Sequence, residues 1–418
     1  MAAINWTDGS WRADGIKGKT DARIIVTSDW APITNGPFDT EAWIARDPAA
    51  IYGNLMPVLR RADLRLVNVE CALGDRGSRI HKAGPNMRYS AAAGAGLASV
   101  PFDVACLANN HVMDYGPEGF TETVRLLREA GLKTVGAGAN EDEARRTLVV
   151  AVGQARVAII NFSEGEDCTA ATAATPGTFG WNPERVLQKT REARDLADIV
   201  LVVVHAGREH PPLPPPYITR LYRRIAEAGA TAVLAHHPHV PQGAEIHGGV
   251  PIAYSMGNFF FYDKSDVFYR KSGYLVELEL SGKRLAGLKI VPYLLADDGL
   301  TLIEGKMLQW FLGQLEKVSD PLGDPRKVAE VWGAFIEMRK EAGFERMLEW
   351  CLEGMRENPP LGAARTRNLF VTPAHQNLWI DGMTRIVEGK WGTVAPWAAE
   401  LMTEWTTPLR AEVVKRFA

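Results

Sequence analysis

Histidines, carboxylates and asparagine amides close a series of apolar runs along this chain. Together those side chains make the donor set of a divalent metal site. Residues 231–235 run into His236-His237-Pro238-His239. Residues 23–28 end on Asp29, 64–69 on Glu70, 104–108 on Asn109-Asn110-His111, and 199–204 on His205. A further run, 252–254, ends on Ser255 through Asn258. Oxygen and imidazole donors without thiolate suit Mn, Fe or Zn better than Ca or Mg, so one or two such ions are the expected cofactor. His237 and His239 lie two apart, just after an apolar run. They can face one cavity only if the backbone turns sharply, and Pro238 helps to fix that turn.

Donors far apart in sequence converge if each apolar run is a strand, because open α/β sheets bind ligands beyond their strands' carboxyl ends. Up to about residue 262 the chain alternates apolar β-branched runs with segments of helical period and capping signals. Pro117 opens one helix, with Phe120, Val124 and Leu127 inward and Gly131 past its end. Asn182-Pro183 opens another, carrying Val186, Leu187, Ala193 and Leu196 inward, and a third runs over about 217–229. This order predicts a mostly parallel or mixed sheet covered by helices. From Gly273 a hairpin is expected: 274–280, the turn Ser281-Gly282-Lys283, then 285–295.

Residues 301–418 read as an all-helical C-terminal extension, with helices over 307–318, 325–342, 345–357 and 377–388. A division at about residue 300 follows. Seven of the twelve tryptophans fall in this stretch. Aromatics at helical spacing predict packing, here against the first domain or a second copy of the chain, so a homo-oligomer through the extension is a possible partner. His375 is the single histidine there and reads as a capped or surface imidazole. The stiff segment Pro211-Pro-Leu-Pro-Pro-Pro216 follows His205 and is expected to wall the site.

The bulk properties are those of a soluble enzyme. The chain has 418 residues, 46% hydrophobic and 23% charged. A net charge of −3 gives no footprint for nucleic acid. Cys71, Cys106, Cys168 and Cys351 are far apart, which suggests neither a disulfide framework nor a zinc knuckle. The first 22 residues are rich in charge and hold no apolar signal segment, and no window reaches the roughly 20 apolar residues of a membrane span. A cytoplasmic protein without a membrane anchor is expected.

The segments Asn68-Val-Glu70, Ala108-Asn-Asn-His111, Gly136-Ala-Gly-Ala-Asn-Glu-Asp-Glu-Ala-Arg145, His205-Ala-Gly207, His236-His-Pro-His-Val240 and Tyr254-Ser-Met-Gly-Asn-Phe259 resemble, in order, those of the CapA family. That family is named for capsule and poly-γ-glutamate synthesis, and its domain is similar to the calcineurin-like metallophosphoesterases. The resemblance covers about residues 23–295 and leaves the helical tail outside. It implies a two-sheet α/β sandwich flanked by helices, with the metal centre above the strand ends.

The resemblance also implies roles. Asp29 would bind one metal and Glu70 would bridge. Asn110 and His205 would complete the other site, and His237 and His239 would be ligands. Asn68, His236 and Asn258 would support the ligands by hydrogen bonding. His111 would protonate the leaving group. Apart from the resemblance, Lys82, Arg88 and Arg208 lie on loops near the site and, with Ser255, are the expected substrate-side residues. Arginine suits a bidentate grip on carboxylate or phosphate, and each of the three charges reads equally well as solvated surface. Two departures stand out. Ala31 takes the place where the phosphoesterases usually carry a second histidine ligand, which predicts a ligand-poor side. Glu70 replaces their bridging aspartate. The expected function is a metal-dependent hydrolase or transferase acting on a small or soluble carboxylate-bearing substrate such as a γ-glutamyl amide. The alternatives are a metal-dependent phosphoesterase and a non-catalytic accessory subunit of poly-γ-glutamate or capsule synthesis.

Overall fold

The computed structural model describes residues 3–16, 18–33 and 39–409. The apolar runs form the strands β1 (Ala22–Trp30), β2 (Leu64–Val69) and β3 (Val104–Cys106), then β4 (Ala155–Ser163), β5 (Ile199–His205) and β6 (Ala232–His236). They continue with β7 (Asn258–Phe260), β8 (Ser272–Ser281) and β9 (Arg284–Ala296). Two mixed sheets result. In the first, β1, β2 and β3 are parallel neighbours, β7 pairs parallel with β1, and β8 runs antiparallel between β1 and β9. In the second, β4, β5 and β6 are parallel neighbours.

Period-two alternation decides what each face buries. Ile24 and Val26 of β1 and Val157 and Ile159 of β4 point into one core between the sheets. Ile25 faces the opposite way, into a second core with Val67, Phe120 and Leu127. Ala158 and Ile160 face a third, with Val186, Val202 and Tyr222. The strands β2, β3, β5 and β6 are buried along their whole length and lack a wet face, which is why their runs are largely apolar at consecutive positions. The helices α1 (Gly116–Glu129), α2 (Pro183–Leu196) and α3 (Pro216–Glu227) supply the outer layers. The arrangement is the helix-flanked two-sheet sandwich expected. Leu196 departs from expectation. It is exposed at 44% because it ends α2, beyond the last turn that packs inward.

The hairpin β8–β9 is longer than its apolar pattern indicated, and Gly299–Leu302 adds one more antiparallel strand to it. Beyond lie α4 (Gly305–Ser319), α5 (Pro325–Met338), α6 (Glu341–Glu357), α7 (Pro359–Val371), α8 (Pro373–Val387) and α9 (Pro396–Thr406). The helix expected over 325–342 stops at Met338, because Lys340 takes a left-handed φ of 59°. Val331, Trp332, Leu378 and Trp405 belong to the same core as Val186 and Tyr222, so the interior is continuous across residue 300. No helix among the described residues is long and apolar enough to cross a membrane.

Candidate metal centre

Parallel register sets the donors side by side. Asp29 pairs with Asn68 across β1 and β2, and with Asn258 across β1 and β7. His205 pairs with His236 across β5 and β6. Between Val26 and Asp29 the β1–β2 register shifts, a bulge of the kind that re-aims a side chain next to a site. After β6 the backbone makes the predicted sharp turn: φ is 104° at His237 and 55° at His239, both in the left-handed region. The His237 amide donates to Asp29 Oδ2 at 3.2 Å, which holds the turn over the first sheet.

Two groups of three could each hold an ion: Asp29, His205 and His236, and Glu70, His237 and His239. All six side chains are buried. His236 Nδ1 is 3.0 Å from Asp29 Oδ1 and 2.8 Å from His205 Nδ1. His205 Nε2 is 3.0 Å from His237 Nδ1, 2.9 Å from Asn110 Oδ1 and 3.4 Å from Glu70 Oε1. His239 Nε2 lies 3.8 Å from Glu70 Oε1, and its Nδ1 faces Asn258 Oδ1 at 2.8 Å. Asn68 Nδ2 donates to Asp29 Oδ1 at 2.8 Å. The expected ligands Asp29, Glu70, Asn110, His205, His237 and His239 thus converge, and Asn68 and Asn258 support them. His236, expected in a supporting role, is brought close enough to be a candidate donor as well. It stands among the donors beside Asp29, on the side where Ala31 predicted a poor ligand set.

Two observations test the fit to a metal. Both Glu70 carboxylate oxygens are buried without a hydrogen-bond partner, as is His236 Nε2. A buried carboxylate needs compensating charge or donors, and a divalent cation supplies them. The imidazoles also compete for protons. Burial opposes charge on His205, but Glu70 and Asp29 push its pKa up to about 9. Burial and the His205 charge then hold His237 down to about 3. Burial would lift Asp29, yet His236 and His205 hold it well below the usual carboxylate range.

His111 sits next to this cluster. Its Nδ1 is 2.7 Å from Asp114 Oδ2, and Lys82 Nζ is 2.7 Å from Asp114 Oδ1. Burial works against the Asp114 charge, but His111 and Lys82 keep its carboxyl low. The carboxylate fixes the imidazole with Nδ1–H inward and leaves Nε2 for proton transfer. Lys82 is therefore not a substrate-facing loop residue. It is 2% exposed and directs its ammonium at Asp114 and at the Asn110 carbonyl, 2.8 Å away. Arg88 also turns elsewhere, to the carbonyls of Asp75, Arg76 and Gly77 and over the Tyr115 ring. Ser255 is buried, with its hydroxyl donated to the Val240 carbonyl at 2.7 Å.

Arg208 remains at the edge of the site, where Nη1 donates to His375 Nδ1 at 3.1 Å. His375 is not at the surface as expected: it is 9% exposed, and its Nε2 lies 2.9 Å from Glu166 Oε1. Glu166 Oε2 accepts from Asn110 Nδ2 at 3.1 Å, and its Oε2 is 3.9 Å from His237 Nε2. Burial would raise Glu166, but the hydrogen bond from His375 holds it well below its usual value. The polyproline segment lies beside the ligand turn, with His210 N donating to the Pro238 carbonyl at 2.9 Å. Sequence reasoning missed Asp114, Glu166 and Asn368. For Asp114 a signal existed, its place three residues after His111. Glu166 and Asn368 carry no spacing that ties them to the ligands.

The sequence model of the family described as bacterial capsule synthesis protein PGA_cap matches residues 24–263. The chain is 33% identical over 251 residues to the capsule biosynthesis protein CapA of Bacillus anthracis, covering 58% of this chain and 60% of that one. It is 35% identical over 167 residues to the PGA biosynthesis protein CapA of Bacillus subtilis, covering 40% and 44%. A "probable polyglutamine synthesis accessory protein" of Mycobacterium tuberculosis is 27% identical over 297 residues, covering 65% and 77%. The chain thus spans about 60% and 44% of the length of the two CapA proteins. Among solved structures, a 5'-nucleotidase precursor from Thermus thermophilus is similar with a TM-score of 0.39 and 17% identity, covering 72% of this chain and 59% of that one. Likeness of that degree carries no argument about activity.

Proposed function

The chain belongs to the family of the bacterial capsule synthesis protein PGA_cap, and on that premise we propose that it is a metal-dependent hydrolase or transferase whose substrate bears carboxylates, a γ-glutamyl amide being the type. The carrying observation is Glu70, a buried carboxylate whose two oxygens accept no hydrogen bond although Oε1 lies 3.4 Å from His205 and 3.8 Å from His239. Glu70, His237 and His239 would hold a divalent ion, Mn, Fe or Zn by the donor set, which would supply Lewis acidity at the scissile bond. His111, fixed by Asp114, holds a proton on Nε2 for the departing amine. Lys82 keeps Asp114 ionised, so the imidazole does not lose its anchor. The γ-glutamyl class rests on the relatives, named for capsule, PGA and polyglutamine synthesis.

A phosphoester is the second substrate class, because His236 gives the Asp29 side an imidazole although Ala31 supplies none. The test therefore sets the two substrate classes against each other. Purified protein is analysed for bound metal, then screened against γ-glutamyl amides and aryl phosphates. Bound Mn, Fe or Zn with turnover of the amides is expected. Turnover of aryl phosphates alone would make the protein a phosphoesterase, and metal without turnover of either class would favour an accessory role.

A further inference from the structure

The helical extension reaches the metal centre through His375, with Asn368 beside it. His375 lies on α8, and its two ring nitrogens have different partners. Arg208 Nη1, which can only donate, lies 3.1 Å from Nδ1, so Nδ1 accepts. The ring proton is then on Nε2, pointing at Glu166 Oε1 at 2.9 Å. The other Glu166 oxygen accepts from Asn110 Nδ2 at 3.1 Å. A carboxylate accepts only, so this bond fixes which end of the Asn110 amide is which. Asn110 Oδ1 is left facing His205 Nε2 at 2.9 Å, on the ligand side. Asn368 of α7 holds the same loop by its backbone, accepting from Asp167 N at 3.0 Å.

We propose that His375 is a positioning residue of the metal site, supplied by the extension, which orients Glu166 and through it turns the Asn110 amide oxygen towards the ion. The inference rests on the metal-centre reading above. Groups that orient ligands from behind typically change metal affinity 10–100-fold when removed. Neither Glu166 nor His375 needs to touch the ion for this to hold. Arg208, held by the same ring, is kept at the site's edge by a residue 167 positions away.

The experiment is a Zn²⁺ titration of the full chain against a competing chelator, with folding checked by circular dichroism. His375→Ala and Glu166→Ala should each lower affinity by about 10-fold or more. Because they act in one relay, the double variant should be little worse than Glu166→Ala alone. His375→Gln keeps one acceptor and one donor and should restore part of the loss. Wild-type affinity in folded His375→Ala, with only a lowered melting temperature, would overturn the proposal, and so would fully additive losses. Should His375→Ala not fold, Glu166→Ala with undiminished affinity refutes it equally. A wild-type chain that binds no Zn²⁺ would sink the metal reading itself, a separate outcome.

Discussion

His237 and His239 hold left-handed backbone that costs a non-glycine residue about 1–3 kcal/mol. The cost is met where the two rings must face one cavity from positions two apart. His237→Gly should therefore lose bound metal by elemental analysis, yet unfold in chelator at a temperature no lower than the chelated wild type. A clearly less stable glycine variant would show that the turn is not strained. His111 makes the opposite separation: His111→Asn should retain metal and lose turnover by ~10²–10⁴-fold. Glu164 offers a pH test. Burial lifts its carboxyl from 4.5 to about 7, despite hydrogen bonds from Tyr217 and the Gly207 amide. Between those two values the folded chain keeps a proton that the unfolded chain has released. Its contribution to stability is thus complete below 4.5 and lost as pH rises through about 7, a change of roughly 3 kcal/mol at most. Denaturant titrations across that window should show this slope, and Glu164→Gln should flatten it.

At the scale of elements, the strands bearing the ligands were legible because each combines a mainly apolar run with a polar terminus, most plainly residues 199–204 with His205. Elements without that contrast were missed. The strand Gly299–Leu302 is short and opens on glycine, and α7 spreads its apolar residues around the helix, so neither shows a period. His375 was misread because its partner Glu166 is 209 positions away, a distance at which spacing carries no information. The last described helix has its own lever on the site. Trp405 of α9 stacks on Tyr269 with ring centroids 3.6 Å apart, and its indole donates to the Pro241 carbonyl at 3.0 Å. Pro241 follows the ligand turn by two residues, so α9 clamps that turn from outside. Trp405→Ala should cost about 3–5 kcal/mol in chemical denaturation and also weaken Zn²⁺ binding. Trp405→Phe keeps the stack and should lose much less of both. If metal affinity is unmoved by either change, the turn is held without α9.

For the molecule as a whole, the boundary near residue 300 is one of sequence texture rather than of packing. Val318, Leu322, Val328, Val331, Trp332 and Leu401 fill the core that also holds Val202 and Tyr222. A chain cut after Ala296 should expose that surface and aggregate, as light scattering would record. A well-behaved truncated monomer that binds metal normally would make the extension dispensable. The extension also leaves Leu348, Leu352 and Met355 of α6 and Ile380 and Val387 of α8 exposed, and pairing of two copies there is a proposal for sedimentation to decide. The two-sheet construction has a bearing on how the chain reaches its native state. Each donor triad takes its carboxylate from the first sheet and its imidazoles from the second. Neither sheet alone supplies a complete triad, so full coordination requires closure of the sandwich. Once formed, it acts as a latch. Bound metal should slow amide hydrogen exchange in β1 and β6 together, and chelation should release both at once, because any opening that parts the sheets must first surrender the ion.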